Sequence, residues 1–242
     1  MDVFTASFLR PIDRGMRWAI IVIILTAVYP LTAPFGQAPD AQRVSDGFLK
    51  LHAVRIKNVR PFRQPFTGNG VYLGQGLVLT AAHVVSRWSF LISPRVVIMG
   101  KELPAKVIKK GSFDDTDLAL LSIDEARVPL TLRLRLNLSL CQTFPKVGAD
   151  VVIVYPDRTA HSPLLSPTLV TPAARTRFST VIRDVQDSGS PVFDAGRKCL
   201  LGIMSAAVPV RSAHGYIEWN WQAGYFVPGY KIADFIPPEF HF

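Results

Sequence analysis

The chain has 242 residues, of which 49% are hydrophobic, and this is enough apolar surface for one large domain or two small ones with substantial cores. Such a composition excludes a disordered chain. The formal net charge of +9 would suit nucleic acid or an anionic membrane surface, but the Lys and Arg residues are scattered, without a long basic run or a recognisable nucleic-acid module. We therefore expect no nucleic-acid partner.

An uncharged segment lies near the N-terminus, at residues 18–39, directly after Arg10, Arg14 and Arg17. Its apolar part is long enough to cross a bilayer, and the basic flank favours an N-terminus in the cytoplasm. We expect residues 1–17 to be cytoplasmic, the segment to be a membrane anchor, and the remainder to be exported to the periplasm or the cell exterior. The alternative is a signal peptide that is cleaved, although each of its small-residue sites is followed by proline.

Two cysteines, Cys141 and Cys199, are too few for a disulfide-built scaffold or for a zinc site of the CxxC type. An exported domain lies in an oxidising compartment, where the two could pair. The sequence does not give the distance between them, so the pairing stays open.

From about residue 46 the chain changes character. Short segments rich in Val, Ile and Leu alternate with Gly, Pro and Asp, as in AVRI, LVLTAA, RVVIMG and ADVVIVYP, which predicts an all-β domain. Helical periodicity is weak except near GYKIADFI at the C-terminal end. The stretch TLRLRLNLSL, residues 131–140, alternates leucine with polar residues and predicts an edge strand or an extended connector between two halves.

A histidine follows the strand pattern of GNGVYLGQGLVLTAAHVV, residues 68–85. A hairpin bounded by glycines leads into a strand, then into Thr80, Ala81 and Ala82, and then into His83. A histidine beside an apolar strand is often only a structural residue. Small side chains before it, however, allow an imidazole to lie at a strand end and face a cleft, so His83 is a candidate general base.

Asp117 opens the apolar run of DDTDLALLSI, residues 114–123. It should lie where the chain turns from solvent into the core, and a buried carboxylate there needs hydrogen-bond donors. The Nδ1–H of an imidazole is one such donor, and this contact also selects the useful tautomer. We expect Asp114 and Asp115 to be solvated turn residues.

A polar turn interrupts two strand-like runs in VQDSGSPVF, residues 185–193. Small polar residues with glycine usually form only a reversal of the chain. The histidine and carboxylate described above favour a second interpretation, in which the turn presents Ser188 as a nucleophile.

The motifs LTAAHVV, TDLALL and DSGSPV, in this order, resemble those of trypsin-like serine proteases of the chymotrypsin fold, nearest the bacterial exported, HtrA-like branch. The resemblance extends over about residues 46–236 and includes LLGIMSA and GYFVPGYKIADFI. It implies an all-β fold of two six-stranded antiparallel barrels with a short C-terminal helix. The expected boundaries are a linker at residues 40–45, a first barrel at about 46–128, a connector at about 129–146, a second barrel at about 147–236 and a tail at 237–242.

The resemblance also implies a reaction on a polypeptide substrate. His83 would take the proton of Ser188 as the serine attacks a peptide carbonyl, while Asp117 orients the imidazole. Backbone N–H groups of Gln186 and Ser188 would face the developing oxyanion, and no metal or cofactor is required. The alternative is a catalytically impaired member of the fold that serves as a membrane-anchored peptide-binding or structural module.

Two residues of the serine turn depart from the family pattern, because Gln186 and Ser190 stand where the family usually has glycine. Glycine at the first position tolerates the backbone flip between closed and open oxyanion holes. Loss of one oxyanion donor typically costs about 10²–10³ in rate. If Gln186 distorts the hole, Gln186→Gly should raise the rate; Ser190 is the milder change, because serine is small.

The family pattern also indicates the primary specificity pocket. Its base would be Ile182 and its edge Ser205, Ala206 and Ala207, and none of these carries a charge that could hold a basic side chain. We therefore expect an apolar or small residue before the scissile bond. The chain ends soon after the protease segment, so we expect no PDZ domain.

A further hypothesis concerns activation. In digestive members of the family, the aspartate before the nucleophile pairs with a new N-terminal ammonium, and Asp187 occupies that position here. Cleavage after Arg43 would create a new N-terminus at Val44, release the domain from the membrane and switch it on. The alternative is that Arg43 is a solvated linker residue and Asp187 accepts local backbone hydrogen bonds.

Overall fold

The structure, a computed structural model, describes residues 46–60, 63–85, 89, 91–135, 138–170, 179–183, 187–211 and 217–240. The apolar segment at residues 18–39 lies outside these ranges, as do Arg43, Val44 and Gln186. No helix in the described part of the chain is long and apolar enough to cross a membrane. The anchor therefore stays a prediction from the sequence.

The first barrel is built from strands whose residues alternate between core and solvent. In β1, Val54 and Ile56 are fully buried and Arg55 between them is exposed, as expected for a strand with one face on the core. The strands are β1 (Ala53–Arg60), β2 (Arg63–Gly74), β3 (Leu77–Thr80), β4 (Arg95–Ile98), β5 (Lys101–Lys110) and β6 (Ala119–Ile123). They pair in the order β1-β2-β3-β6-β5-β4, and β4 returns to β1 to close the barrel.

The second barrel closes in the same way. Its strands are β7 (Asp150–Val154), β8 (Thr159–Leu165), β9 (Val181–Arg183), β10 (Pro191–Asp194), β11 (Leu200–Arg211) and β12 (Ile217–Pro228). They pair in the order β10-β11-β12-β9-β8-β7, with β7 returning to β10. Within the described residues, the predicted pair of closed six-stranded antiparallel barrels is therefore confirmed.

The prediction for the connector between the barrels is wrong in part. Residues 131–140 were expected to be extended, but Leu130–Arg135 form a helix, α1. Leucine and arginine are both good helix formers, and the amide of Leu132 donates to the carbonyl of Pro129 in the first turn. Leu132 is 1% exposed and Leu134 is 75% exposed. Residues two apart also lie on nearly opposite sides of a helix, so alternation over so short a stretch does not separate helix from strand.

The short C-terminal helix is confirmed. It is α2 (Gly229–Phe235), and it follows the last strand of the second barrel. The ammonium of Lys109, on β5 of the first barrel, donates to the carbonyl of Phe235 at 2.7 Å and lies 4.7 Å from the centre of the Phe235 ring. The helix therefore links the two barrels.

A disulfide joins Cys141 to Cys199, which answers the question that the sequence left open. Beside it, Leu140 and Leu200 form a β-bridge, so the connector runs against the beginning of β11. The cysteines are separated by 58 residues. A cross-link over so long a loop restricts the unfolded chain strongly.

Reduction of this disulfide should lower the free energy of unfolding by up to about 4 kcal/mol, the chain-entropy value for a loop of this length. The measurement is denaturant-induced unfolding with and without a reductant. The double variant Cys141→Ser, Cys199→Ser is the control and should be insensitive to the reductant. Equal stability of the reduced and oxidised wild-type protein would contradict the prediction.

Candidate active site

The site centres on Asp117, whose side chain is 3% exposed. Its Oδ1 accepts a hydrogen bond from the backbone amide of His83 at 3.0 Å, and its Oδ2 accepts one from Nδ1 of His83 at 2.7 Å. The hydroxyl of Ser205 donates to Oδ2 as well, at 2.6 Å. An ionised carboxylate only accepts, so Nδ1 of His83 carries the proton, and Nε2 of the neutral ring is left as an acceptor.

The same contacts control the charge of Asp117. Burial alone would raise the pKa of its carboxyl, but the hydrogen bond and charge of His83, together with the Ser205 hydroxyl, hold the pKa below its usual value. The carboxylate therefore remains ionised at neutral pH despite its burial. A fixed negative charge at Nδ1 is what stabilises an imidazolium.

His83 is held by a short 3₁₀ turn, Ala82–Val84, that follows β3. Ala81 and Ala82 are buried, and the Asn58 side chain donates to the carbonyl of Val84 at 2.6 Å. The turn exposes 27% of the His83 side chain. The small residues before His83 allow this position at the end of a strand, as predicted from the sequence.

Phe113 is a neighbour of the imidazole that the motifs did not indicate. Its ring lies edge-on to that of His83, with the ring centres 5.5 Å apart, and it is 42% exposed. A half-exposed aromatic ring beside the imidazole offers apolar surface at the rim of the site.

The turn that carries Ser188 packs directly on the first barrel. The carbonyl of Ser188 accepts from the amide of Asn69 at 2.9 Å, and Gly189 follows with φ +87°. A Cβ on Gly189 would lie 2.0 Å from the carbonyl oxygen of Asn69, so only glycine fits at this approach. The Ser188 hydroxyl donates to the carbonyl of Ser205 at 3.1 Å, which is the partner that the described residues provide for it.

Three polar side chains at the site have contacts that the motifs did not predict. Ser205 was predicted only as a pocket edge, yet its hydroxyl reaches Asp117. The Asn69 side chain donates to the hydroxyl of Ser190 at 2.9 Å, across 121 residues of sequence. In the sequence, Asn69 is a polar residue between two glycines and Ser190 replaces a glycine of the family pattern, but neither feature indicates which residue it contacts.

The predicted pocket residues lie on β9 and β11, the two strands that flank β12, where Gly224 pairs with Ile182 on one side and with Ala207 on the other. Ile182, on β9, is fully buried and packs within the core of the second barrel. Ser205, on β11, is 4% exposed, and Ala206 and Ala207 beyond it are partly buried. In this conformation Ile182 packs in the core. Its predicted role as the base of a specificity pocket stays a prediction.

Asp187, the acid of the activation hypothesis, lies at the surface beside an arginine. Its side chain is 49% exposed and lies 3.8 Å from the guanidinium of Arg158. The buried acid near the start of the described chain is Asp46, which accepts from Lys198 at 2.9 Å and from His161 at 2.8 Å. Cleavage after Arg43 stays a prediction, since that residue is outside the described ranges.

Two closed barrels, with a histidine, a buried aspartate and a serine turn between them, define the class of chymotrypsin-fold serine proteases. The family model of the trypsin-like peptidase domain matches residues 68–203, more than half of the chain. The chain belongs to this trypsin-like peptidase family, and its class of enzyme is serine endopeptidase. No significant match is found among proteins of curated function.

Solved structures of bacterial and viral proteases share the fold. The Rv3671c protease of M. tuberculosis, in its active form, is 20% identical with a TM-score of 0.56, over 78% of this chain and 81% of that one. A serine endoprotease from Yersinia pestis is 17% identical with a TM-score of 0.54, over 76% and 61%. The serine protease of a human pathogenic astrovirus is 18% identical with a TM-score of 0.51, over 78% and 94%. At these identities the likeness shows the fold.

The variant Asp117→Asn should make stability less sensitive to acid. The pKa of Asp117 is lower in the folded than in the unfolded chain, so its contribution to stability is present above the usual value of 3.8 and is lost as pH falls through the lowered value. The measurement is the free energy of unfolding over an acid pH series. Asp115→Asn, on the exposed turn nearby, is the control and should keep the wild-type slope; an unchanged slope in Asp117→Asn would contradict the assignment.

Proposed function

We propose that this endopeptidase uses Ser188 as nucleophile, His83 as general base and Asp117 as the residue that orients and stabilises the imidazole. The observation that carries the proposal is the 2.7 Å contact between Nδ1 of His83 and the buried carboxylate of Asp117. That contact fixes the tautomer in which Nε2 can accept a proton. The serine turn between the barrels provides a hydroxyl for it to accept from.

The reaction is acyl transfer. The Ser188 oxygen forms a bond to the peptide carbonyl carbon while its proton passes to Nε2 of His83, and the charge develops on the carbonyl oxygen. The backbone N–H of Ser188, and that of Gln186 by resemblance, would stabilise this oxyanion. His83 then gives the proton to the leaving amine as the C–N bond breaks. Water attacks the acyl-enzyme by the same proton route and restores the serine.

One side-chain movement is required. The Ser188 hydroxyl donates to the Ser205 carbonyl, and attack requires it to turn toward the imidazole of His83. Hydroxyl rotors cross staggered wells readily, and catalytic hydrogen bonds often form only when substrate is bound. We infer that substrate binding favours the turned rotamer.

The proposed substrate is a polypeptide with an apolar or small residue before the scissile bond. The predicted pocket residues Ile182, Ala206 and Ala207 carry no charge, which supports this preference. The half-exposed ring of Phe113, beside His83, supports an apolar neighbour in the substrate as well.

The second candidate function is a peptide-binding or structural module without catalysis. The bond from the Ser188 hydroxyl to Ser205, rather than to the imidazole, is the observation that favours it. Such a module would bind peptides with equal affinity whether or not Ser188 is present. The two functions therefore differ in one measurable property.

Removal of the reactive groups should distinguish them. Ser188→Ala and His83→Ala should each lower kcat by up to about 10⁶-fold, because the three residues act as a unit. Asp117→Asn should lower it by about 10⁴-fold through the wrong imidazole tautomer. The measurements are peptide hydrolysis and labelling by a serine-directed phosphonate, with Ser112→Ala, an exposed serine, as control. Hydrolysis and labelling that persist in Ser188→Ala would eliminate the assignment.

We also propose that residues 18–39 anchor the chain, with the peptidase domain exported. The length of the apolar run and the preceding arginines support this, and the disulfide suits an oxidising compartment.

The test of the anchor is fractionation of bacteria that express the full chain, followed by N-terminal sequencing. We expect the protein in the membrane fraction, with its C-terminal half accessible from the exported side. A soluble form beginning after Ala33 or Ala38, the two small-residue sites that are followed by proline, would instead indicate a cleaved signal peptide. An active form beginning at Val44 would support cleavage after Arg43, and a protein confined to the cytoplasm would refute export.

A further inference from the structure

The turn that carries Ser188 is held by a hydrogen-bonded bridge between two buried side chains. Nδ2 of Asn69, on β2, donates to Oγ of Ser190 at 2.9 Å, and the Ser190 hydroxyl donates in turn to the backbone carbonyl of Asp187 at 2.7 Å. Asn69 is 2% exposed and Ser190 is fully buried. Since water does not reach either group, each depends on the other for its hydrogen bonds.

The bridge ends on a specific peptide group. The carbonyl of Asp187 and the N–H of Ser188 belong to one planar peptide unit, so the direction of the oxygen determines the direction of the N–H. In the proposed mechanism this N–H faces the developing oxyanion. A hydrogen bond to the Asp187 carbonyl therefore orients an oxyanion donor from the opposite side of the peptide.

The backbone at this point needs such support. Asp187 has φ +46°, in the left-handed region that a residue with a side chain seldom adopts, and Gly189 has φ +87°. A residue in this region persists only where its surroundings hold it. The Ser190 hydroxyl, and the Ser190 amide at 3.3 Å, both donate to the Asp187 carbonyl.

Asn69 is itself fixed in place. Its backbone amide donates to the Ser188 carbonyl at 2.9 Å, and its own carbonyl accepts from the hydroxyl of Thr80. Thr80 is fully buried at the end of β3. The bridge therefore starts from a rigid part of the first barrel and ends on the reactive turn of the second.

We propose that Asn69 is a positioning residue, which acts through Ser190 to hold the Asp187–Ser188 peptide with the Ser188 N–H directed at the oxyanion. The inference rests on the proposed function. It does not follow from the family resemblance, because glycine, the usual residue at the position of Ser190, has no hydroxyl. Serine at this position is thus a functional part of the turn and not only a tolerated change.

A clamp that merely joins the two barrels would have a different effect. Loss of such a clamp lowers stability but leaves the turnover of each folded molecule unchanged. Loss of a positioning bridge lowers the rate of attack and changes substrate affinity little, because the oxyanion forms only in the transition state. The ratio of the effects on kcat and KM separates the two roles.

The experiment compares Asn69→Ala, Ser190→Ala and the double variant with the wild type. The concentration of reactive enzyme is taken from the final extent of phosphonate labelling, so that kcat refers only to molecules that are folded and reactive. Ser162→Ala is the matched control, because Ser162 is 2% exposed and its hydroxyl likewise accepts one bond, from the Arg183 amide at 2.8 Å, and donates one, to the Pro163 carbonyl at 3.0 Å. Asn69→Ser, a smaller change, replaces Asn69→Ala if that variant does not fold.

Complete loss of an oxyanion donor lowers kcat by about 10²–10³-fold, and a misdirected donor should lower it less. We therefore expect each single variant to lower kcat and the labelling rate about tenfold. KM should stay within about twofold. The double variant should be no worse than Ser190→Ala, since both residues act through one bond. Ser162→Ala should keep the wild-type kcat.

Unchanged kcat with lowered stability would overturn the inference in favour of a clamp, and so would losses that multiply in the double variant. An equal loss in Ser162→Ala would overturn it as well. A wild-type chain that neither hydrolyses peptides nor labels at Ser188 would overturn the proposed function, and the inference with it. The two failures are therefore distinguishable in one set of measurements.

Discussion

The site depends on one buried charge, the carboxylate of Asp117. A carboxylate out of contact with water is stable only where donors surround it. His83 supplies two of these donors from the first barrel, and Ser205 supplies another from the second. Since the donors come from both barrels, the solvation of the charge and the geometry of the cleft are not independent. A displacement of either barrel would leave the carboxylate short of a hydrogen bond.

Ser205 extends this dependence to the nucleophile. Its hydroxyl donates to Asp117, while its carbonyl accepts from the Ser188 hydroxyl. Ser205 thus connects Ser188 to Asp117, and so to His83, through two separate groups of one residue. Networks of this kind are rigid when every member is satisfied. In this structure the Ser188 hydroxyl is bonded to Ser205, and the proposed reaction begins when it turns from Ser205 toward His83.

Several contacts join segments that are far apart along the chain. Lys109 reaches the last helix, the disulfide joins the connector to the second barrel, and Asp46 ties the first described residues to Lys198. Burial alone would raise the pKa of Asp46, but its bonds with His161 and Lys198 hold the pKa below the usual value, so this tie remains charged at neutral pH. Together these contacts join segments from both halves of the chain.

The local features of this protein were determined by its sequence. Short apolar segments between Gly, Pro and Asp indicated β structure, and the last helix was apparent from its periodicity. The residue types around His83, Asp117 and Ser188 indicated a histidine at a strand end, a buried acid and a polar turn. Each of these depends on neighbours a few residues away.

Only the tertiary structure decided the helix at Leu130–Arg135, where a short alternation fits either conformation, and the pairing of the cysteines. It alone decided the partners of Asn69 and Ser205, which lie 121 and 88 residues away. A hydrogen bond needs two groups within about 3 Å. Sequence patterns show that a buried polar group must have a partner, but which one it meets is set by how the barrels close and pack.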